Sequence, residues 1–163
     1  MIFLGENQDA GWRGKIGQLE DEEFNRFLSE GVIARLACLD HKGWPYVVPC
    51  WHAWDGNGFW VIPRARSQWA HYLRDDPRCA LTIDEDGTLR KVAVQGLAKL
   101  VEEPNVGGKW VPIAERMSVR YLGENGPKYL EPTLKNKRWL FHIEPTMIRT
   151  WQGVDWHSRY KQE

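Results

Sequence analysis

Residues 61–73 read VIPRARSQWAHYL, and within this stretch the pattern changes from that of a β-strand to that of a helix. The apolar start is typical of the end of a strand. Trp69 and Leu73 follow four residues apart, which places them on one face of a short helix. Ser67 stands where the N-cap of that helix belongs. The stretch therefore predicts a strand, a loop and a helix in immediate succession.

The predicted loop carries two arginines, Arg64 and Arg66. The first backbone N–H groups of a helix have no partner inside the helix, and the helix dipole favours negative charge near them. Guanidinium groups bind phosphate oxygens through paired hydrogen bonds. We therefore interpret the loop as a phosphate site. Two solvated arginines beside an ordinary N-cap would leave the same pattern in the sequence.

Periodic strand and helix patterns extend from this loop in both directions. The segment DGNG at 55–58 is typical of a hairpin turn, because Gly and Asn tolerate positive φ, and Gly96 interrupts a long strand as a bulge or bend would. Six or seven antiparallel strands with about three helices predict a mainly β (β+α) fold, a split β-barrel, because closure removes exposed strand edges. The predicted helices are residues 20–29, 68–74 and about 109–122, and the predicted strands are residues 32–39, 44–54, 59–63, 79–83, 89–102, 138–143 and 147–151.

The charge balance argues against partners that are held by long-range electrostatic attraction. The 163 residues contain 22 Lys+Arg and 22 Asp+Glu, so the formal net charge is zero. Nucleic acid and anionic membrane surfaces are therefore not expected as partners, although a local basic patch is compatible with this balance. No apolar run is long enough to span a bilayer, no leader pattern opens the chain, and the three cysteines lie in apolar patterns that suit reduced thiols. We expect a cytoplasmic protein.

The chain shows no internal repeat and no low-complexity linker, so one domain is expected at residues 19–151. Residues 1–18 are interpreted as a flexible arm, because they combine several glycines with mixed charge. Residues 152–163 form a tail in which Trp156 would rarely be left in water, so we expect the tail to pack on a dimer partner. The helix at 109–122 is interpreted as a cap on the barrel, with a cover over the substrate mouth as the alternative.

The order of these patterns resembles the pyridoxamine 5'-phosphate oxidase-like family, the FMN-binding split barrels, whose superfamily also includes deazaflavin-dependent reductases. The resemblance rests on order and spacing together rather than on any single motif, and it covers about residues 19–104. The segments that carry it are WPYVVPCWHAWDGNGFWVI at 44–62, RARSQWAHYLRDDPRCALTID at 64–84 and RKVAVQGLAKLVEEP at 90–104, with a weaker similarity in IEPTMIRTWQG at 143–153.

The resemblance implies that FMN lies with its ring along the second strand, its ribityl chain along the third and its phosphate in the arginine loop. Ser67, Gln68 and Trp69 match the family's Ser-Arg-Lys phosphate stretch, so two cations are replaced here. Losing them should weaken phosphate binding, unless Arg64 and Arg66 compensate. The implied cofactor-binding residues are Val48, Pro49, Cys50, Trp51, Ile62, Pro63, Arg64, Arg66, Ser67, Gln68, Trp69, Lys91 and Trp151, the last matching an aromatic that many members supply from the partner subunit.

The resemblance also implies a homodimer with cofactor sites at the subunit interface, and a flavin-dependent oxidoreductase that transfers hydride between FMN and an unidentified small organic substrate. A catalytic triad or carboxylate pair is not needed for this, because the flavin ring itself accepts or donates the hydride. Two alternatives stay open: a reductase that uses the deazaflavin coenzyme F-420, and a non-catalytic flavin- or haem-binding barrel.

A few other polar side chains are candidates for function. Cys50 and His52 share a face of one predicted strand and have the chemistry of metal ligands. No further ligand follows at a recognisable spacing, so no metal is expected and Cys50 is interpreted as a packing residue. The candidate substrate contacts are His52, Trp54, His71 and Arg149.

Overall fold

The computed structural model describes residues 14–155 of the chain. It contains seven antiparallel strands in one sheet, as predicted for a split barrel, and the three predicted helices are present with a short fourth one. The strands are β1 (Ala34–Leu39), β2 (Pro45–Cys50), β3 (Ala53–Trp54), β4 (Phe59–Val61), β5 (Arg78–Asp84), β6 (Arg90–Asn105) and β7 (Arg138–Gln152), and the helices are α1 (Asp21–Ser29), α2 (Gln68–Asp75), α3 (Trp110–Leu122) and α4 (Gly126–Leu130). The strand order is β2-β1-β5-β6-β7-β4-β3.

The predicted succession of strand, loop and helix at 61–73 is confirmed. β4 ends at Val61 and α2 begins at Gln68, with Ser67 in extended conformation at the N-cap. The face of α2 that carries Trp69 and Leu73 is buried, because four-residue spacing on a helix places both side chains toward the sheet. The loop between these two elements is thereby fixed at both ends.

The last two predicted strands, 138–143 and 147–151, are one continuous strand, β7. It pairs with β6 along nearly its whole length, and the register shifts where Gly96 faces Pro145. A Cβ atom on Gly96 would lie 2.7 Å from the carbonyl oxygen of Glu144, so only glycine allows this approach. The prediction of two strands was wrong because the proline marks a bulge rather than a turn.

The single strand predicted at 44–54 is two strands in the structure. β2 pairs with β1 at one edge of the sheet, whereas β3 pairs with β4 at the opposite edge. Trp51 and His52 lie between them, and the backbone N–H of His52 donates to the hydroxyl of Tyr121 (3.2 Å) instead of to a neighbouring strand. The apolar alternation continues across this break, so the sequence pattern alone could not reveal it.

The predicted polar loop after α3 also contains regular structure. α4 lies within it, with a turn of 3-10 helix on either side. Gly126 begins α4 in close contact with Ser118 of α3, because an added Cβ would lie 2.6 Å from the Ser118 backbone. Tertiary packing, rather than a repeating apolar pattern, determines this short helix.

Two apolar clusters fix the helices to the sheet. The larger one includes Phe27, Leu28 and Leu73 from α1 and α2, all almost fully buried. The smaller one contains Trp110 of α3 and Leu130 of α4. Burial of each such side chain contributes about 1.5–3 kcal/mol. None of the helices within residues 14–155 has the length and apolar character needed to cross a bilayer.

The described end of the predicted arm, residues 1–18, pairs with the end of β7. The N–H of Gly17 donates to the carbonyl of Gln152 (3.0 Å), and the N–H of Gln152 donates to the carbonyl of Gly17 (2.7 Å). The rest of the arm lies outside the described residues. Most of the predicted tail, 152–163, including Trp156, lies outside them as well, so its packing on a partner stays a prediction.

Substitution of Gly96 by alanine should destabilise the bulge between β6 and β7. The added methyl group would overlap the Glu144 carbonyl, and we expect a loss of about 1–3 kcal/mol in the free energy of unfolding. Urea denaturation followed by tryptophan fluorescence measures this loss. Lys99→Ala, at an exposed position of the same strand, should stay within about 0.5 kcal/mol of the parent. Equal stability of Gly96→Ala and the parent would contradict the close approach.

Candidate functional site

A cavity of about 440 Å³ lies where the end of β2, the loop after β4 and the helices α3 and α4 meet; we call it the main cavity. Eight of the thirteen predicted cofactor-binding residues line it: Pro49, Cys50, Trp51, Ile62, Pro63, Arg64, Ser67 and Trp69. The other lining residues, which the sequence did not identify, are Ile33, Ala114, Met117, Tyr129, Leu130 and Arg138.

The remaining five predicted cofactor-binding residues lie outside the main cavity of the same chain. Val48 packs against the larger apolar cluster, and Gln68 is exposed at the start of α2. Arg66 lines a separate cleft. Lys91 and Trp151 face each other across β6 and β7. The assignment of these last two to a cofactor therefore stays a prediction that depends on a second chain.

The four candidate substrate contacts also lie outside the main cavity. His52 is fully buried. The indole N–H of Trp54 donates to the side-chain oxygen of Asn25 (2.8 Å), and the ring of His71 packs edge-on against Trp139 (5.3 Å between centroids). Arg149 is exposed on β7. A substrate role for any of them stays a prediction.

Two arginines from paired backbone segments line the main cavity. Arg64 and Arg138 lie opposite each other as a backbone bridge pair, and no carboxylate within residues 14–155 forms an ion pair with either side chain. Arg138 is only 8% exposed. One of its terminal N–H groups donates to the Thr133 hydroxyl (3.0 Å), whereas its Nε has no partner. Burial, and secondly the charge of Arg64, lowers the pKa of Arg138.

Ser67 also lines the main cavity. It occupies the predicted N-cap position of α2, but its hydroxyl makes no capping hydrogen bond. The backbone N–H of Ser67 donates to the carbonyl of Arg64 (2.9 Å), which closes the loop. Arg138 lies over the Trp110 ring, 5.5 Å from its centroid, but neither arginine has a carboxylate partner, and cations in this state favour binding of an anion. Arg138 is the cationic lining residue that sequence reasoning missed, and its only sequence signal is a charge at the head of an apolar strand.

Aromatic rings also line the main cavity. Trp51 stacks on Tyr121 with 4.8 Å between centroids and an angle of 2° between planes, and Tyr129 packs on Trp51 at 5.3 Å. The Tyr121 hydroxyl donates to the carbonyl of Val32 (2.9 Å) and accepts the N–H of His52. Trp51 is thereby held in one orientation. The main cavity is therefore lined both by flat aromatic rings and by cationic side chains.

The thiol in the main cavity is not prepared for nucleophilic attack. Burial raises the pKa of Cys50 to about 12, so it stays a protonated, packing side chain at neutral pH. Within residues 14–155 no three His, Cys, Asp or Glu side chains are grouped in a way that could hold a metal ion. The chemistry that this cavity offers is binding and shielding of a flat ligand with an anionic group.

Comparison with known proteins agrees with this geometry. A sequence profile described as pyridoxamine 5'-phosphate oxidase matches residues 20–152. The chain belongs to the pyridoxamine 5'-phosphate oxidase-like family. The family therefore extends over the sheet, the arginine loop and all four helices, and the resemblance that the sequence showed mainly at 19–104 holds through β7.

Several solved structures are similar to this member of the pyridoxamine 5'-phosphate oxidase-like family over most of its length. A conserved hypothetical protein from Mycobacterium tuberculosis is 27% identical with a TM-score of 0.66, over 90% of this chain and 94% of that one. The haem storage protein of Vibrio cholerae is 19% identical with a TM-score of 0.63, over 80% and 94% of the two chains. An F-420 reductase is 21% identical with a TM-score of 0.58, over 76% and 94%. No curated protein matches the chain significantly.

The phosphate stretch of this member of the pyridoxamine 5'-phosphate oxidase-like family differs from the family pattern at two positions. Gln68 is exposed, whereas Trp69 is 9% exposed and lines the main cavity. An indole therefore stands where the family usually has a cation. The positive charge of the cavity comes instead from Arg64 before the helix and from Arg138 on β7.

α3 belongs to the site as well as to the barrel cap. Ala114 and Met117 line the main cavity, while Trp110 anchors the helix in the smaller apolar cluster. Trp110, Ala114 and Met117 are spaced so that they share one face of α3, which both packs on the sheet and lines the cavity. A cover over a substrate mouth stays a prediction. Tyr121, at the end of the same helix, supports the aromatic wall.

The buried His52 should make the stability of the protein fall at acidic pH. Both ring nitrogens of His52 are buried without a hydrogen-bond partner, and burial, followed by the charge of Arg120, lowers its pKa to about 3. The unfolded chain, with a histidine pKa of about 6.5, binds the proton more readily. Stability is therefore fully present above about pH 6.5 and should fall by up to about 1.4 kcal/mol per pH unit below it.

Urea denaturation between about pH 7.5 and 5 measures this slope. His52→Phe should flatten it relative to the parent, whereas His41→Asn, at an exposed position, should keep the parent slope. NMR of the imidazole ring provides a second measurement that does not depend on a stable variant. A His52 ring that titrates near pH 6.5 in the folded protein would refute the assignment.

Proposed function

We propose that this protein is a flavin-dependent oxidoreductase that transfers hydride between bound FMN and a small organic substrate. The observation that carries the proposal is the composition of the main cavity, which is lined both by the cations Arg64 and Arg138 and by the ring of Trp51. FMN likewise combines an anionic phosphate with a flat ring. The cavity volume of about 440 Å³ lies in the range of ligand sites.

The residues present fit this cofactor. Arg64, Arg138 and the Ser67 hydroxyl would hold the phosphate, since two guanidinium groups without carboxylate partners can form charge-assisted hydrogen bonds to it. Pro49, Cys50 and Trp51 would line the ring. Bound flavin supplies the hydride chemistry itself. The protein contributes position and exclusion of water, so a separate general acid or base is not required.

A homodimer is part of the proposal. β2 is an edge strand of the sheet. Three large side chains near its start are exposed: Trp44 at 70%, Tyr46 at 39% and Val47 at 61%. Exposed apolar side chains of this size on an edge strand favour an interface. The same strand continues to Pro49 at the main cavity, so a partner bound here would close the cavity. The free thiols of Cys38, Cys50 and Cys79 suit the reducing cytoplasm that we also propose.

The family includes flavin and F-420 reductases and haem-binding proteins. The colour of the purified protein and the ligands that it takes up therefore distinguish FMN from F-420 and haem. We expect a yellow purified protein that takes up added FMN and is bleached by a reduced nicotinamide or by dithionite. A colourless protein that ignores FMN but binds F-420 or haem would refute the FMN assignment. For haem, the described lining residues include Cys50, Met117 and Tyr129, whose side chains are of types that can ligate haem iron, and no histidine.

Arg64→Ala should weaken FMN binding by about tenfold or more, because it removes charge-assisted hydrogen bonds to the phosphate. Fluorescence titration of the purified variant with FMN measures the change. Arg26→Ala removes an exposed arginine from α1, on the surface outside the main cavity, and should leave the affinity unchanged. FMN affinity that is the same in Arg64→Ala and the parent would disprove the phosphate assignment.

Val47→Arg should convert the dimer into monomers, because it places a charge on the exposed edge strand that the proposal assigns to the interface. Light scattering coupled to size-exclusion chromatography measures the mass. Val106→Arg is a matched control, since Val106 is similarly exposed (54% against 61%) in a loop beyond β6, and it should remain dimeric. A parent protein that elutes as a monomer would remove the basis for a shared site.

A further inference from the structure

The last turn of α3 carries an arginine with two buried nitrogens that have no partner. Arg120 donates from Nη1 to the carbonyl of Leu28 (3.2 Å), whereas its Nε and Nη2 are buried without a hydrogen-bond acceptor. No carboxylate within residues 14–155 forms an ion pair with this side chain. Such a state raises the free energy of the folded protein, because nothing replaces the water that these N–H groups have lost.

The two unpartnered nitrogens form one edge of the guanidinium group. Nε–H and one N–H of Nη2 point in the same direction, so this edge can bind two oxygens of one anion at once. Arg78 uses the same edge in this protein, since its Nε donates to Oδ1 of Asp76 (2.9 Å) and its Nη2 donates to Oδ2 (2.6 Å). At Arg120 the same edge faces no carboxylate of the described chain.

His52 is a second unsatisfied polar group next to Arg120. Its side chain is fully buried, and neither ring nitrogen has a hydrogen-bond partner. Both groups contact Tyr121: the Cζ atom of Arg120 lies 4.9 Å from the centroid of the Tyr121 ring, and the centroid of the His52 ring lies 6.4 Å from it. A neutral imidazole carries one N–H, which can donate to an anion.

Tyr121 does not satisfy these groups. Its hydroxyl donates to the carbonyl of Val32 (2.9 Å) and accepts the backbone N–H of His52 (3.2 Å). Burial lowers the pKa of Arg120 and the nearby Tyr121 opposes this effect, but the hydroxyl makes no aligned hydrogen bond with Nε or Nη2. Buried polar groups are almost always paired with a protein atom, a water molecule or an ion. The unpaired donors therefore indicate a bound water molecule or ion.

Charge favours an anion over a water molecule at this position. Arginine stays protonated in proteins, and a water molecule cannot neutralise it. Glu30 lies close in the chain, but its two carboxylate oxygens accept from Arg90 (2.9 and 2.7 Å). An added Cβ on Gly31 would lie 2.7 Å from the carbonyl oxygen of Arg120. Since α3 packs this tightly on the chain after α1, the occupant has to be small.

We propose that Arg120 and His52 form a buried site for one small monovalent anion. The Nε–Nη2 edge of Arg120 holds the anion, and the N–H of the His52 ring donates to it. Chloride and small oxyanions such as formate share the required charge and size. Neither residue lines the main cavity, so the site does not depend on the proposed cofactor. The bound anion would stabilise the end of α3, including Tyr121, whose ring stacks on Trp51.

The stability of the purified full-length protein in different salts tests this site. Urea denaturation at neutral pH is repeated in increasing sodium chloride or sodium formate, with sodium gluconate keeping the ionic strength constant. Once the site is mostly occupied, the ratio of folded to unfolded protein should rise about tenfold for each tenfold increase of the bound anion. Gluconate is too large for the site and should not have this effect.

Two variants assign the effect to the proposed residues. Arg120→Gln removes the charge and the paired N–H edge, so it should abolish the dependence on chloride and formate. Arg116→Gln is the matched control, because Arg116 is an exposed arginine one turn earlier on α3, and it should keep the dependence of the parent. Crystals of the parent protein in sodium bromide give a measurement that does not require a stable variant. An anomalous peak beside the Nε–Nη2 edge of Arg120 is expected.

The outcomes are distinct. Stabilisation by chloride alone identifies a halide as the occupant, and stabilisation by formate alone identifies an oxyanion; either result supports the site. Equal dependence on these anions in Arg120→Gln and the parent would overturn the proposal. Stability that follows only the ionic strength, together with no bromide peak, would also overturn it and assign the buried donors to water. The affinity for FMN is a separate measurement, so failure of this site leaves the proposed function intact.

Discussion

The arginine loop is held against the start of β7 by hydrogen bonds on both sides of Arg64, and the site depends on this clamp. Ala65 donates to the carbonyl of Lys137, and Trp139 donates to that of Pro63. The indole N–H of Trp139 also donates to the carbonyl of Ala65 (3.2 Å). Because these hydrogen bonds are made by the backbone, they place Arg64 opposite Arg138 and do not depend on the charges of the two side chains. Repulsion between them is tolerated by the fold and is relieved by an anion.

The sequence predicted the half of the site that is local in the chain. Strand, loop and N-cap occur within residues 61–73, so their consequences for a phosphate could be derived from pattern alone. Arg138 could not be derived, because its proximity to Arg64 is a property of strand order and register. Tyr129 and α4 were missed for the same reason, since their packing on the sheet leaves no repeating pattern. Gly96 was recognised as a break, but its partner Pro145 was interpreted as a turn.

The interruption between β2 and β3 links the core to the wall of the main cavity. At this point Trp51 turns toward the cavity and His52 enters the core. Tyr121 contacts both residues: its ring stacks on Trp51 and its hydroxyl accepts the backbone N–H of His52. A protonated His52 would place a charge beside Arg120 in an apolar surrounding, which is costly. The folded state around Tyr121 is therefore favoured when His52 is neutral.

Charge, rather than shape, is the property by which this site can distinguish related cofactors. The aromatic wall accepts any flat ring, because stacking and apolar contact depend little on the substituents of the ring. Cations that lack partners discriminate by the number and spacing of anionic groups, since each unmatched charge leaves repulsion in place. Exposed cations such as Arg64 and Arg66 are also screened by salt, whereas the buried Arg138 is screened much less. Retention of an anion in the proposed site should consequently depend more on the buried Arg138 than on the exposed Arg64.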